Sequence, residues 1–380
     1  MIRDYRADKL TQDYICAITD YTFLMHHSDF CISGAGIIGL SLALELNRRG
    51  ATVTVLDQGD PLAEASTAAA GMLAANDPEN PSQLHALSNL SNSLYPSYLS
   101  YLEALSGIPV PFQTSLTLQA LSPAHSSTDH VLSSAEVKSL LPPLNPRDRT
   151  FICLEEHSVD PGQLAPSLLG AVRAARIDLR LHTPVSSISS QPHFAEIHTS
   201  AGTLTANRYI DCTGAWAVSL SHRSQKVVTP KKGQVLYIEV PTSLNLQIVV
   251  RSPEVYIAPR TTGPHAGQAI IGATVEDQGF DTTVNPADIA RLHAAASRFL
   301  PALESATILE SWAGLRPGTP DSLPLLGEIP GSPHAYLATG HYRNGILLAP
   351  ATAHVMGQLL CNERVSIDLT PFAPSRCLAA

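Results

Sequence analysis

Three glycines near the start of the chain constrain it more than any other feature. Gly34, Gly36 and Gly39 form G-A-G-I-I-G between a short apolar run, Phe30–Ser33, and a helical stretch, Ile37–Arg49. In such a strand-to-helix turn the first glycine permits the tight bend. The second lets an anion approach the backbone, and the third lets the helix pack on the strand. The helix N-terminus then offers N–H groups and a partial positive charge to a diphosphate. A second strand, Thr52–Leu56, ends on Asp57, 18 residues past Gly39, where a carboxylate can accept ribose hydroxyls. Strand, helix, second strand and terminal acid together predict a dinucleotide site. They do not separate NAD from FAD.

The remaining composition narrows the class. The 380 residues are 44% apolar and 15% charged, enough for about two folded domains. Lys plus Arg number 24 against 33 Asp plus Glu, a formal charge of −9, with no dense basic block. That balance argues against nucleic acid and against an anionic membrane surface as partners. No apolar run approaches the roughly 20 residues that cross a bilayer. The six cysteines, Cys16, Cys31, Cys153, Cys212, Cys361 and Cys377, show no CxxC spacing and read as isolated thiols. No metal site is expected, because His26 and His27 are adjacent and no HxxxH pair with an acid occurs. Residues 1–28 lack a secretory pattern, so the cytoplasm is the expected compartment. They are read as an N-terminal extension, expected to be disordered, of which residues 1–24 are dispensable.

Element order predicts an α/β (α+β) chain with interleaved domains. Strand and helix signals at 29–105, 157–225 and 310–370 form a discontinuous nucleotide-binding domain. Residues 106–156 and 226–309 form a mostly antiparallel β domain, rich in GQVLYIEV, LQIVV, VYIAP and AIIGATV runs. The Pro-containing stretch 122–148 reads as loop. Small residues at Ala65–Ala75 (ASTAAAGMLAA) and the Thr-Gly turn in DCTGAW permit close backbone approach by a bound group. Arg316 lies in an apolar run and needs an anionic partner, for which Asp321 is the nearby alternative to a ligand.

With GAGIIG, STAAAGMLA, DCTGAW, VYIAPR, IIGATVED, WAGLRPGTPDSLPLLG and TGHYRNGILLAP in place, the chain resembles the amino-acid-oxidising flavoenzymes of the D-amino acid oxidase family. Within it, the similarity is to the glycine oxidases of thiamine biosynthesis, over about residues 28–362. The resemblance implies a Rossmann-like FAD-binding domain and a β substrate domain. The ADP half of FAD would lie on Gly34, Gly36, Ile37, Ile38, Gly39, Asp57 and Gln58. Ala65, Ser66, Ala70, Gly71 and Met72 would flank the flavin ring, and Val185 the adenine. His341, Tyr342, Arg343, Asn344, Gly345, Ile346 and Leu347 would lead a helix N-terminus to the pyrimidine edge. Trp312–Gly327 holds no cysteine, so noncovalent FAD is implied.

The resemblance also assigns the catalytic pocket. Arg316 would grip the substrate carboxylate through two parallel hydrogen bonds. Tyr256 would approach the same carboxylate, Arg343 would steady flavin or substrate, and Met72 would line the pocket. The implied reaction is hydride transfer from glycine to flavin N5, giving an imine, then glyoxylate and ammonia, with O2 reduced to H2O2. Thiazole synthase is the implied partner that captures the imine, and homo-oligomers are common in the family. Oxidation of D-amino acids or sarcosine, or electron transfer to a quinone, is the alternative within the superfamily. An NAD-dependent dehydrogenase is the alternative from another class.

Overall fold

The computed structural model describes residues 27–121, 131–217 and 227–377. Most of the proposed extension thus lies outside the described residues, but His27 and Ser28 already belong to the first strand, β1 (His27–Ser33). Along the chain follow α1 (Ile37–Arg48), β2 (Val53–Leu56), α2 (Ala65–Ala68), α3 (His85–Ser106), β3 (Thr117–Ala120) and α4 (Ser134–Leu140). Next come β4 (Phe151–Leu154), α5 (Pro161–Ala174), β5 (Asp178–Arg180), β6 (Val185–Ser190), β7 (Ala195–Thr199) and β8 (Gly202–Asp211). Then β9 (Thr229–Glu239), β10 (Val249–Arg251), β11 (Tyr256–Arg260), β12 (Gln268–Gly272) and α6 (Pro286–Phe299). The chain closes with β13 (Ile308–Gly318), β14 (Leu325–Glu328), β15 (Ala335–Thr339) and α7 (Gly345–Leu360).

The first sheet has the order β14-β15-β8-β1-β2-β5, with β6 and β7 added beside β8. Its core is parallel: β1 pairs in parallel with β2 and β8, β2 with β5, and β8 with β15. Parallel strands need long crossovers and covered faces. Helices α1, α3, α5 and α7 supply the cover, packing with the β1–β2 interior in one apolar core. The second sheet runs β13-β9-β12-β11-β10-β3-β4 and is antiparallel except for β10 against β3.

Alternation in the second sheet assigns its two faces. Leu236, Ile238, Val250, Ile257, Ala269 and Ile271 pack against α6 through Ile289, Leu292, Ala296 and Phe299. The intervening residues, Val235, Tyr237, Val249, Tyr256, Ala258 and Ile270, form a separate cluster on the opposite face with Ala70, Met72 and Trp312. A period of two places these sets on opposite faces. The second face becomes the floor of the site.

Two elements differ from expectation. Residues 310–318, grouped by sequence with the nucleotide-binding domain, belong to β13, which pairs with β9 from Gly318 to Ile308. Local pattern announces a strand but not its partner. Helix α4 lies inside the stretch read as loop. Its start is a capping box: Ser133 and Glu136 bond each other's backbone N–H, an S-x-x-E signal visible in the sequence.

The glycines of the first turn have distinct tasks. A Cβ on Gly34 would lie 2.4 Å from the Cys212 carbonyl oxygen, where β1 approaches the end of β8, and φ there is +106°. A Cβ on Gly39 would lie 1.9 Å from the Gly34 carbonyl oxygen, so α1 rests directly on the turn. Gly36 differs, since its Cβ would meet nothing closer than the Ser66 hydroxyl at 3.4 Å. Protein packing dictates the first and third glycines, and the second leaves space that no protein atom fills. Gly39→Ala should therefore lift α1 from the turn. We expect a loss of about 1–3 kcal/mol or more, read from the chemical-denaturation midpoint, whereas Gly36→Ala should cost far less stability.

Candidate active site

One cavity of about 640 Å3 runs from the GAGIIG turn across the floor of the second sheet to the N-terminus of α7. At its first end α1 begins at Gly36 with no side-chain cap. The Asp57 carboxylate accepts hydrogen bonds from Ala35 N–H at 2.6 Å and Gly59 N–H at 2.8 Å, which fixes the turn against the end of β2. Ser66, from α2, accepts from Ile37 N–H at 3.0 Å and ties the small-residue segment to the helix start. Gly34, Gly36, Ile37, Ile38, Asp57, Gln58, Ala65, Ser66, Ala70, Gly71, Met72 and Val185 all line this cavity.

The middle of the cavity is bounded on one side by the Ala65–Met72 segment. Gly71, at φ +82°, would place a Cβ 2.0 Å from the Val159 carbonyl oxygen. Val159 N–H bonds the Gly71 carbonyl and Leu73 N–H that of His157, so the segment is laced to the chain before α5. Arg260, buried at 2% exposure, donates from Nη2 to the Ala70 carbonyl at 2.9 Å and lies 3.4 Å from Asp160. Trp312 Nε1 donates to the Ala68 carbonyl at 3.2 Å. The segment is thereby clamped to the second sheet at two points.

The floor is built from a row of paired positions: Trp312, Val235, Gly272, Tyr256, Arg251 and Gln119 lie opposite one another on successive strands. Directly paired residues share a face. A Cβ on Gly272 would fall 2.5 Å from the Tyr256 hydroxyl, so the phenol lies over that glycine. A Cβ on Gly233 would fall 2.2 Å from both terminal nitrogens of Arg316, so the guanidinium lies over the other. Gly233 is two residues before Val235, the partner of Gly272. Such diagonal neighbours are about 7–8 Å apart, a span that one carboxylate accepting two hydrogen bonds can bridge.

Arg316 donates from Nη1 to the Thr274 carbonyl at 3.0 Å and the Lys232 carbonyl at 3.4 Å. It has no acid partner among the described residues. Asp321, the alternative partner, instead accepts from Arg376 Nε at 2.7 Å. Burial raises the Tyr256 phenol above its ordinary pKa, and Arg316 and Arg260 pull it part of the way back. The hydroxyl therefore stays protonated at neutral pH and can donate.

At the far end His341, Tyr342, Arg343, Asn344, Gly345 and Ile346 line the cavity where α7 begins, without a side-chain cap. Tyr342 N–H bonds the Pro317 carbonyl at 2.9 Å, which joins this turn to the strand carrying Arg316. His341 is buried, shares a 3.0 Å hydrogen bond with the Thr352 hydroxyl, and is held down to a pKa of about 3 by burial. Leu347 departs from the sequence reading. Its side chain is 1% exposed in the helical core, and its carbonyl accepts from Ser91. Gly39 likewise serves packing and does not line the cavity.

Several polar residues of the cavity escaped the sequence reading: Asp77, Glu79, Gln119 and Arg251. Arg251 ends the apolar run Ile248-Val249-Val250, the same signal that marked Arg316. Its partners lie far off in the chain. Gln119 bonds its Nε, and Glu156 Oε2 lies 3.1 Å from its Nη2. Burial raises the Glu156 carboxyl above its ordinary range, and Arg251 pulls it only part of the way back.

The residues present fit FAD. Gly36 leaves unfilled space beside a helix N-terminus, the small-residue segment leaves a slot above the floor, and a second helix N-terminus closes the far end. Comparison with known proteins agrees. A family model, FAD dependent oxidoreductase (DAO), matches residues 29–359. The chain is 36% identical over 367 residues to the bifunctional protein ThiO/ThiG of Nostoc sp. (strain PCC 7120), covering 92% of this chain and 55% of that protein. The chain thus spans about half the length of such bifunctional relatives. It is 30% identical to the glycine oxidase of Pseudomonas putida, covering 90% of this chain and 97% of that one. The crystal structure of glycine oxidase from Geobacillus kaustophilus superposes with a TM-score of 0.86 at 29% identity, covering 93% of this chain and all of that one.

His341 carries a test by pH. Its folded pKa lies below the ordinary value, so below about pH 6.5 the unfolded chain binds a proton that the folded chain refuses. Stability from this residue is complete above that pH and is lost as pH falls toward 3. His341→Gln should narrow the fall in Tm between pH 7 and pH 5, measured by thermal unfolding.

Proposed function

The chain belongs to the FAD-dependent oxidoreductases of the DAO family, and we propose that it carries out oxidative deamination of glycine with noncovalently bound FAD. The observation that carries this is the placing of Arg316 and Tyr256 over two diagonally neighbouring glycines, Gly233 and Gly272. It makes a carboxylate site on the floor of the cavity. The relatives named glycine oxidase, which the chain matches over nearly their whole length, support glycine as substrate. The family match sets aside an NAD-dependent dehydrogenase.

Arg316 is held by two backbone carbonyls at its Nη1. It needs no reorganisation to receive a carboxylate. Tyr256 donates its hydroxyl to the same group. With the carboxylate fixed, the substrate Cα lies between the floor and the Ala65–Met72 segment, where Met72, Val235 and Trp312 exclude water. No His or carboxylate is required as a base at Cα, because the neutral amine supplies the electron pair. The chemistry FAD supplies when bound is acceptance of a hydride from Cα, with the electrons passing to O2 to give H2O2. Gly34, Gly36, Ile37, Ile38 and Asp57 would hold its ADP half, and the Gly345–Ile346 helix start its pyrimidine edge.

The same proposal extends to the cell. The bifunctional ThiO/ThiG relatives join two activities in one chain, which supports delivery of the imine to thiazole synthase. Within it the enzyme acts in the cytoplasm as a homo-oligomer. Among the described residues no helix is long and apolar enough to cross a membrane.

Anaerobic glycine should bleach the flavin absorbance of the purified enzyme, and H2O2 should form on readmission of air. A yellow enzyme that glycine leaves oxidised, but that sarcosine or D-proline bleaches, would move the assignment to those substrates. Arg316→Met should keep its FAD and lower kcat/KM for glycine at least about 100-fold, since a charge-assisted pair is lost. Tyr256→Phe should lower it by about 10-fold, the loss of one hydrogen bond to a charged group. Both are read by steady-state kinetics on flavin-loaded protein.

A further inference from the structure

Three arginines, Arg251, Arg316 and Arg343, line the cavity among the described residues. Arg316 alone of the three has no acid beside it. The other two meet at one carboxylate oxygen: Asp77 Oδ2 lies 3.4 Å from Arg343 Nη2 and 3.8 Å from Arg251 Nε. Asp77 is 6% exposed and fixed in place. Its Oδ1 accepts from Glu79 N–H at 3.0 Å, and its carbonyl accepts from Asn80 N–H at 2.9 Å. Asn80 in turn accepts from Asn344 Nδ2 at 3.2 Å and from Arg343 Nη2 at 3.4 Å, which seats the turn against the start of α7.

The two arginines differ in what they would do without Asp77. Arg251 is 6% exposed and retains Gln119 and Glu156. Arg343 is 38% exposed at its side chain, and Asp77 is its acid partner. Asn80 offers it only a neutral oxygen. Neutralising Asp77 therefore leaves a guanidinium facing the cavity with no counter-charge, next in the chain to Tyr342, whose N–H bonds the strand that carries Arg316.

We propose that Asp77 is a specificity-determining residue: by cancelling Arg343 and Arg251 it leaves Arg316 as the single carboxylate site, so amines with one carboxylate are accepted and dicarboxylic amines are refused. This rests on the reading of Arg316 as the carboxylate anchor. A second carboxylate brought into this end of the cavity meets Asp77 and Glu79 as well as the two arginines. It gains no uncompensated cation and suffers repulsion from the fixed acid.

The test uses the FAD-loaded enzyme and reads binding from the shift that carboxylates cause in the flavin visible spectrum. Acetate is the monocarboxylate probe, and malonate, succinate and glutarate are the dicarboxylate series. Asp77→Asn should raise the best dicarboxylate-to-acetate affinity ratio at least about tenfold and raise the D-aspartate-to-glycine ratio of kcat/KM similarly. Ratios that move less than twofold overturn the proposal. In Asp77→Asn/Arg343→Met the gain should vanish, and its persistence would also overturn it. Should Asp77→Asn not fold, Arg343→Met in the native background decides. An already cancelled Arg343 predicts an unchanged dicarboxylate-to-acetate ratio, and a tenfold fall shows an open anion site and refutes the inference. Failure of the parent reading looks different, because Arg316→Met would then leave acetate affinity intact.

Discussion

The architecture depends on backbone meeting backbone where no side chain intervenes. Gly34 touches the end of β8, Gly39 rests on Gly34, and Gly71 lies against Val159. These contacts fix the turn at the start of α1 and the small-residue segment relative to the parallel sheet. Gly314 extends the same device to the second sheet, since its missing Cβ makes room for Ala68. Each contact permits an approach that even alanine would forbid, so the slot between the layers is set by the chain's own van der Waals limits. Arg260 and Trp312 then hold the Ala65–Met72 segment to the second sheet by bonds to two of its carbonyls.

A formal charge of −9 says little about such a slot. What governs an anionic ligand is the local field, and here it is arranged by omission. Two helix N-termini open into the cavity without side-chain caps, and Arg316 is stabilised by carbonyl oxygens instead of a carboxylate. Carbonyl dipoles orient a guanidinium while leaving its net charge uncompensated. A carboxylate partner would have oriented it and cancelled it together. That second arrangement is the one seen at Arg251 and Arg343, where Asp77 and Glu156 supply the cancellation.

The sequence shows the parts of the site whose chemistry is local, and hides those that depend on pairing across the chain. The GAGIIG turn, Asp57 and the α7 start are legible because each is a contiguous signal with one geometric meaning. Arg316 and Tyr256 are legible by resemblance, but their convergence is not. It follows from the register of β9, β12 and β13, which alternation of apolar residues leaves open. The same blindness put residues 310–318 in the other domain. Asp77, Glu156 and Arg251 come from three distant stretches; the apolar run before Arg251 signals a need for an acid partner, but nothing local says that Asp77 and Glu156 supply it. Leu347 failed for the opposite reason. It lies in a contiguous motif whose helix presents Ile346 to the cavity and turns the next residue into the core.

Fixed charge is the property these arrangements share. Burial holds His341 neutral down to about pH 3 and keeps the Tyr256 phenol protonated through and beyond neutral pH. Arginine does not titrate in this range. On the proposed reading, the groups that would meet an amino acid's carboxylate thus keep the same charge around neutral pH. On that reading proton loss falls to the amine of the substrate, whose neutral form is the one able to release a hydride from Cα. A site of this construction places the control of proton loss in the substrate and leaves the protein to orient, desolvate and discriminate.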